Sequence, residues 1–219
     1  MNMIVLENIK KIYGKHTVIE NCELQLKPKE HCALVGSSGS GKSTLLYLIG
    51  GLEKADKGRI IVNQQDYSQL NEDQLAKSRN ENIGFIFQFH FLLATLTCWK
   101  NILLPIKIGN RSIKDYEEKI KDYAKYLSVE HCLNSFPYQL SGGEQQRINL
   151  IRAVIMRPKI LLCDEPTGNL DSTNSKKVID LLRNLANESG ATLLVVTHDE
   201  KIASSFPRKL IIEDGRLIG

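Results

Sequence analysis

From His31 to Thr44 the chain reads HCALVGSSGSGKST. An apolar β-forming run enters Gly36, four residues follow, and Gly41, Lys42 and Ser43 then open a helical stretch. The spacing G-x-x-x-x-G-K-[ST] carries chemistry only in this strand-loop-helix setting. The glycines let backbone N–H groups close around phosphate oxygens, Lys42 sets a point charge against the β- and γ-phosphates, and the Ser43 hydroxyl can ligate Mg²⁺. Gly36, Ser37, Ser38, Gly39, Ser40, Gly41, Lys42, Ser43 and Thr44 are the candidate phosphate cradle.

Around this loop, strands and helices take turns. Short β-rich runs at Met3–Leu6, His31–Val35, Arg59–Val62, Ile83–Phe87, Lys159–Cys163, Thr192–Val196 and Lys209–Ile212 are the expected strands. A helix is expected from Lys42, and another through Val178, Leu181, Leu182 and Leu185, with Gly190 as its C-cap. Such alternation predicts a mainly parallel sheet covered by helices. Asp214-Gly215, between KLII and RLIG, reads as a hairpin turn. From about 89 to 157 the rhythm breaks into helical spacing at Ile113, Tyr116, Ile120, Ala124 and Leu127, with Ser112 and Asp115 as a capping pair. The chain is thus read as one domain over 1–219, with a core of about 1–88 and 158–219 and an inserted helical subdomain of about 89–157.

Further polar residues fall at strand ends. In KILLCDEP an apolar strand ends in Asp164, at the carboxyl edge where open α/β sheets bind ligands. Asp164 would hold the Mg²⁺ shell, and Glu165 is the candidate carboxylate that polarises an attacking water. His198 follows the strand of TLLVVTHD and Gln88 the strand of IGFIFQ, so both emerge at the same edge. The stretch LSGGEQQR, Leu140 to Arg147, has Ser141, Gly142 and Gly143 directly before a helical run, an anion-binding arrangement that lacks a lysine.

Composition removes several classes. A length of 219 residues suffices for a full core, with 42% hydrophobic and 25% charged residues, so disorder is not expected. The formal charge of +4 is spread without blocks, which argues against a nucleic-acid partner. The five cysteines are scattered without a C-x-x-C, which suggests neither a disulfide framework nor a zinc site and fits a reducing compartment. No apolar run is long enough to span a bilayer and MNMIVLENIKK lacks an apolar export core, so direct membrane insertion is not expected.

Taken in order, GSSGSGKST, Gln88, LSGGEQQR, ILLCDEP, GNLD and VVTHD resemble the nucleotide-binding subunits of ATP-binding cassette (ABC) transporters, over essentially the whole chain. The resemblance implies an α/β P-loop NTPase core with a mainly parallel sheet, an antiparallel β region at the N-terminus and an inserted helical subdomain, ATP and Mg²⁺ as cofactors, and ATP hydrolysis. It implies that Tyr13 stacks on adenine, that Gln88 contacts Mg²⁺ or the attacking water while sensing a membrane subunit, and that His198 contacts the γ-phosphate. Asp171 in GNLD would communicate across a subunit interface; as an N-cap of the following helix it has an equally physical role. Ser141, Gly142 and Gly143 would complete the ATP site of a second copy, so that two ATP molecules are sandwiched in a dimer.

EPTGNLD, IGGL, FQFH and LVVTHD are most similar to the bacterial subgroup of lipoprotein-releasing, macrolide-efflux and cell-division ATPases. That implies a peripheral protein on the cytoplasmic face of the inner membrane that drives permease subunits, with lipoprotein release as the leading cargo reading and efflux or regulation of an envelope partner as the alternatives. The chain departs from the subgroup's FQFHHLLPxxTALENV at Phe91, Ala94 and Cys98–Asn101. There FQFHFLLATLTCWKNILLP either forms a groove for a membrane partner's helix or fills the subdomain core with Phe89, Phe91 and Trp99.

Overall fold

The computed structural model describes residues 1–87, 91–168 and 172–218, without the side chains of 172–174. Its strands among the described residues are β1 (Ile4–Tyr13), β2 (His16–Leu26), β3 (His31–Val35), β4 (Lys57–Val62), β5 (Gln65–Asp66), β6 (Ile83–Ile86), β7 (Ile160–Asp164), β8 (Thr192–Val196), β9 (Arg208–Glu213) and β10 (Arg216–Ile218). Its α-helices among the described residues are α1 (Lys42–Ile49), α2 (Glu72–Asn82), α3 (Cys98–Ile108), α4 (Lys114–Tyr126), α5 (Gly142–Val154), α6 (Ser172–Ser189) and α7 (Glu200–Ala203).

Two sheets result. An antiparallel one has the order β2-β1-β4-β5, and a six-stranded one has the order β10-β9-β3-β8-β7-β6, parallel except for the terminal β9-β10 hairpin. The chain is α/β, with the mainly parallel sheet that the alternation predicts and the antiparallel N-terminal sheet that the family resemblance implies. Strands β7 and β8 are buried on both faces, which is why they read as continuous apolar runs. Leu161, Cys163, Leu193 and Val195 enter one core with α3 to α6, while Ile160, Leu162, Leu194 and Val196 enter a second with α1 and the antiparallel sheet.

Three features differ from the sequence expectation. The first strand runs to Tyr13 rather than Leu6, and β2 is an unexpected partner. Register shifts along β1, with positive φ at Asn8 (50°) and Asn21 (50°), break the period of two that would have revealed the pair. Helix α2 is equally unexpected, because only Leu75, Ser78 and Asn82 of its residues are buried; its signal is the Asn71–Gln74 capping box. The proposed Ser112–Asp115 cap does not form as such: α4 begins at Lys114 with Ile113 as N-cap, and Ser112 contributes its backbone carbonyl, which accepts from the Asp115 N–H at 3.3 Å. By contrast, Gly190 closes α6 with φ +67°, and Asp214 (φ 45°) and Gly215 (φ 76°) turn the β9-β10 hairpin.

In the aromatic stretch, Phe91 is 62% exposed, whereas Trp99 packs against the core that α3 shares with α5. Phe89 lies outside the described residues. Gly84 of β6 lets α5 seat against the sheet. A Cβ there would lie 2.4 Å from the Ala153 carbonyl oxygen and 2.7 Å from Leu161 Cδ2. Backbone cannot swing aside, so Gly84→Ala should cost about 1–3 kcal/mol in urea unfolding. An unchanged midpoint would mean that α5 is not held against β6 at this point.

Candidate functional site

In the six-stranded sheet, Leu34 of β3 pairs with Val196 of β8, which pairs with Asp164 of β7. The residues that follow these three strands therefore emerge side by side at one edge. They are the loop Gly36–Gly41, then Glu165, then Thr197 and His198.

The loop is shaped by close approach. A Cβ on Gly36 would lie 2.3 Å from the Ile212 carbonyl oxygen, and Gly41, the N-cap of α1, adopts φ 102° against Val18 and Ile19. The C-terminal hairpin braces it, with the Gly215 N–H donating to the Ser40 carbonyl at 3.2 Å. Lys42 is buried, and its Nζ donates to the Gly36 and Ser37 carbonyls at 2.9 and 2.7 Å, so the ammonium is already folded back over the loop. The buried Ser40 hydroxyl has no hydrogen-bond partner among the described residues.

Helix α1 joins the loop to the end of β7. Ser43 Oγ donates to Asp164 Oδ1 at 3.0 Å, and the Tyr47 hydroxyl donates to Asp164 Oδ2 at 3.1 Å. Ser43 and Tyr47 are four residues apart and so share a helix face. Burial pushes the Asp164 carboxyl above its usual range, while the two hydroxyl donors, and Lys42 nearby, pull it down. Burial and the neighbouring Asp164 push the Tyr47 phenol up to about 12, so it remains a donor.

Immediately beyond, Glu165 holds the left-handed conformation with φ 46°, uncommon for a residue with a side chain. Its N–H donates to the Val196 carbonyl at 3.0 Å, which ties the turn to β8. The turn brings Glu165 to His198, whose Nδ1–H donates to Glu165 Oε2 at 2.9 Å. The imidazole is 70% exposed and the carboxylate 15%, so the pair faces solvent through the histidine.

The LSGGEQQR stretch forms the start of α5. Ser141 is its N-cap in a complete capping box with Glu144. Glu144 Oε2 accepts from the Ser141 N–H at 2.8 Å and from Ser141 Oγ at 2.5 Å, so the serine hydroxyl is held by its own helix. A Cβ on Gly142 would meet nothing within 4 Å, which leaves that backbone open to an approaching group. The buried Gln146 donates its amide to the Pro166 carbonyl, fastening α5 to the residues after Glu165. Tyr13, at the end of β1, is 42% exposed, with Lys11 Nζ 4.9 Å from its ring centroid.

The fold thus brings together the Gly36–Thr44 loop, Asp164, Glu165 and His198. Gln88 and Asp171 lie outside the described residues. Sequence reasoning missed Tyr47 and Gln146. The signal for Tyr47 was its position one helical turn after Ser43, and for Gln146 the glutamine pair, of which one must face inward in a buried helix. Backbone N–H groups and the Lys42 ammonium fit phosphate oxygens, and the Ser43 hydroxyl and Asp164 carboxylate are hard oxygen ligands that fit Mg²⁺.

A protein-family model described as ABC transporter matches residues 19–168. The lipoprotein-releasing system ATP-binding protein LolD of Cytophaga hutchinsonii is 40% identical, over 96% of each chain. LolD of Hydrogenovibrio crunogenus is 40% identical over 100% of this chain and 97% of its own. Among solved structures, the ATP-binding cassette MJ0796 in a dimeric post-hydrolysis state bound to ADP and Pi aligns with a TM-score of 0.90 at 35% identity, covering 99% of this chain and 97% of that one. The dimeric structure of MJ0796 described as a bacterial ABC transporter cassette aligns with a TM-score of 0.91 at 37% identity over the same shares. A phosphate loop, an acidic strand end and a capped glycine stretch on one α/β frame, matched along nearly the full length, have one common source: the chain belongs to the ABC transporter family, as an ATP-hydrolysing cassette.

Proposed function

We propose that this cassette is the ATP-hydrolysing subunit of a lipoprotein-releasing exporter, working as a dimer closed around two ATP and driving permease subunits at the cytoplasmic face of a bacterial inner membrane. The observation that carries the reading is the joining of Ser43 and Asp164, which builds a Mg²⁺-ready phosphate site next to the Glu165–His198 pair. Similarity to LolD along nearly the whole chain supports the cargo. No helix among the described residues is long and apolar enough to cross a membrane, which fits a subunit that acts through membrane partners.

In this reading the backbone of Gly36 to Thr44 holds the phosphates and Lys42 turns from its carbonyl partners toward the β- and γ-phosphates. Tyr13 stacks on adenine. Ser43 and Asp164, with Gln88, would hold Mg²⁺, which would supply charge neutralisation at the phosphates. Glu165 orients the attacking water and accepts its proton, while His198 fixes the carboxylate through Nδ1 and leaves Nε2 for the γ-phosphate. Ser141, Gly142 and Gly143 supply N–H groups and a hydroxyl, with no lysine and no Mg²⁺ ligand, and so complete the phosphate site of a partner copy. Asp171 signals across that interface. Association then depends on the γ-phosphate, and its loss lets the copies part.

The permease grip falls on the groove between β6, α3 and α5, where Leu52, Phe85, Phe87, Leu104, Ile108 and Met156 present apolar surface. Ile108 is 69% exposed and Leu52 44%, which suits a surface that a partner helix covers.

Glu165→Gln should bind ATP, accumulate as an ATP-bound dimer and lose roughly a hundred-fold or more in hydrolysis. Expressed beside its permease, the same variant should trap a complex with lipoprotein retained in the inner membrane. Undiminished turnover removes Glu165 from its role, and a trapped cell-division partner in place of lipoprotein overturns the cargo.

Ser141→Arg should block ATP-driven dimerisation, read by size-exclusion chromatography, while each copy still binds ATP. Mixing it with Lys42→Ala protein should restore at most one of the two composite sites; dimerisation of Ser141→Arg alone would refute the shared site.

Tyr47→Phe keeps the ring but removes a donor to the Asp164 carboxylate. A hydrogen bond to the charged form lowers a carboxyl pKa, so its loss raises one that burial has already raised. Protonated Asp164 is a poor Mg²⁺ ligand. Turnover should therefore fall about fivefold at acidic pH, the worth of one net hydrogen bond, and recover as pH rises. A loss independent of pH would show that Tyr47 acts only through packing.

A further inference from the structure

A short 3-10 turn, Glu130–Cys132, packs beside the first turn of α5, and two of its side chains converge on the carboxylate that caps that helix. His131 Nε2 lies 2.9 Å from Glu144 Oε1, and Cys132 Sγ lies within 4.8 Å of the same carboxylate. One imidazole nitrogen, one sulfur and one carboxylate oxygen thus lie within 4.8 Å of one another. We propose that His131, Cys132 and Glu144 form a binding site for a divalent cation of the zinc class, separate from the phosphate loop and its Mg²⁺.

Zinc takes nitrogen, sulfur and oxygen donors at about 2.0–2.3 Å, so tetrahedral donors stand about 3.3–3.8 Å apart. The nitrogen and the carboxylate oxygen stand 2.9 Å apart and all three atoms lie within 4.8 Å, so side-chain rotations would bring them to that spacing. The donor set also discriminates. Mg²⁺ requires hard oxygens in octahedral array, so a site with one thiolate and one imidazole passes over it and selects a softer ion. The two cations of such a protein would not compete for one place.

The carboxylate is positioned before any ion arrives. Glu144 Oε2 is fixed by the Ser141 N–H and Oγ, which turns Oε1 toward the histidine and cysteine. Cys132 is 2% exposed, whereas the His131 side chain is 69% exposed. An ion would enter on the histidine side and keep a fourth position for water. On binding, the Cys132 S–H bond breaks, its proton leaves to solvent, and the sulfur–metal bond forms without any change of oxidation state.

Sequence spacing hides the site, because a histidine-cysteine pair and a distant glutamate make no recognised ligand pattern. The fold supplies it by docking the turn against α5. Occupancy would tie the turn to the helix end that presents Ser141 and Gly143.

The test titrates the nucleotide-free full chain with Co²⁺ and follows thiolate-to-cobalt charge-transfer absorption, then displaces the cobalt with Zn²⁺. One Co²⁺ per chain with a single-thiolate spectrum is expected. Cys132→Ser should abolish the band, although the four other cysteines remain. His131→Ala, at an exposed side chain on which folding does not rest, should weaken Zn²⁺ binding roughly tenfold or more. No band in the unaltered protein, a band that survives Cys132→Ser, or Zn²⁺ binding to His131→Ala as tight as before would each overturn the site.

Discussion

One carboxylate ties the phosphate loop to the rest of the fold. Asp164 ends a strand buried on both faces and receives two hydroxyls from α1, Ser43 in the first turn and Tyr47 one turn later. Because β7 is fixed between β6 and β8, this contact sets where α1 begins, and with it the curvature of the loop from Gly36 to Gly41. Burying such a group is costly unless its oxygens are partnered. Here the partners are the Ser43 and Tyr47 hydroxyls, and in the proposed reading Mg²⁺ would be held by Ser43 and Asp164 at this same contact.

The strained turn at Glu165 follows from that anchoring. With Asp164 held by α1, the next residue turns at φ 46° to give its N–H to Val196 and its carboxylate to His198. Conformations of this kind cost about 1–3 kcal/mol and persist where surroundings over-determine them. The surroundings are identifiable: β8 holds the amide, His198 holds the side chain, and Gln146 of α5 holds the carbonyl of Pro166. The turn that carries the proposed hydrolytic carboxylate is thus gripped by α5 little more than one helical turn after its N-cap Ser141.

Legibility in the sequence followed the range of the interactions concerned. The phosphate loop, β7, β8 and the Asp214-Gly215 hairpin were readable because their determinants lie within a few residues: glycine spacing, fully apolar runs and a turn dipeptide. β2 was not, since its alternation is interrupted by bulges and paired with a strand that is itself irregular. Helix α2 was not, because a helix with three buried residues has almost no apolar stripe to detect. In the site, Asp164, Glu165 and His198 could be placed at one edge from strand order alone. The pairing of Glu165 with His198, the Tyr47 hydroxyl on Asp164 and the hold of Glu144 on Ser141 depend on side-chain directions that no local pattern specifies.

The cap on Ser141 bears on how an ATP-dependent dimer could be kept open without nucleotide. The serine proposed to contact the phosphate of a partner copy is here satisfied internally, its hydroxyl and N–H both on Glu144. Such a helix end has little to gain from an empty partner surface, since approach would exchange a charge-assisted hydrogen bond for weaker ones. A γ-phosphate changes the balance, because its oxygens compete with a carboxylate on equal terms and bring the field of α5's N-terminus into use. The missing lysine of LSGGEQQR then has a physical meaning. A fixed cation at that position would attract the acidic strand end of a partner copy whether or not nucleotide were bound, whereas a serine capped by glutamate makes attraction conditional on the ligand.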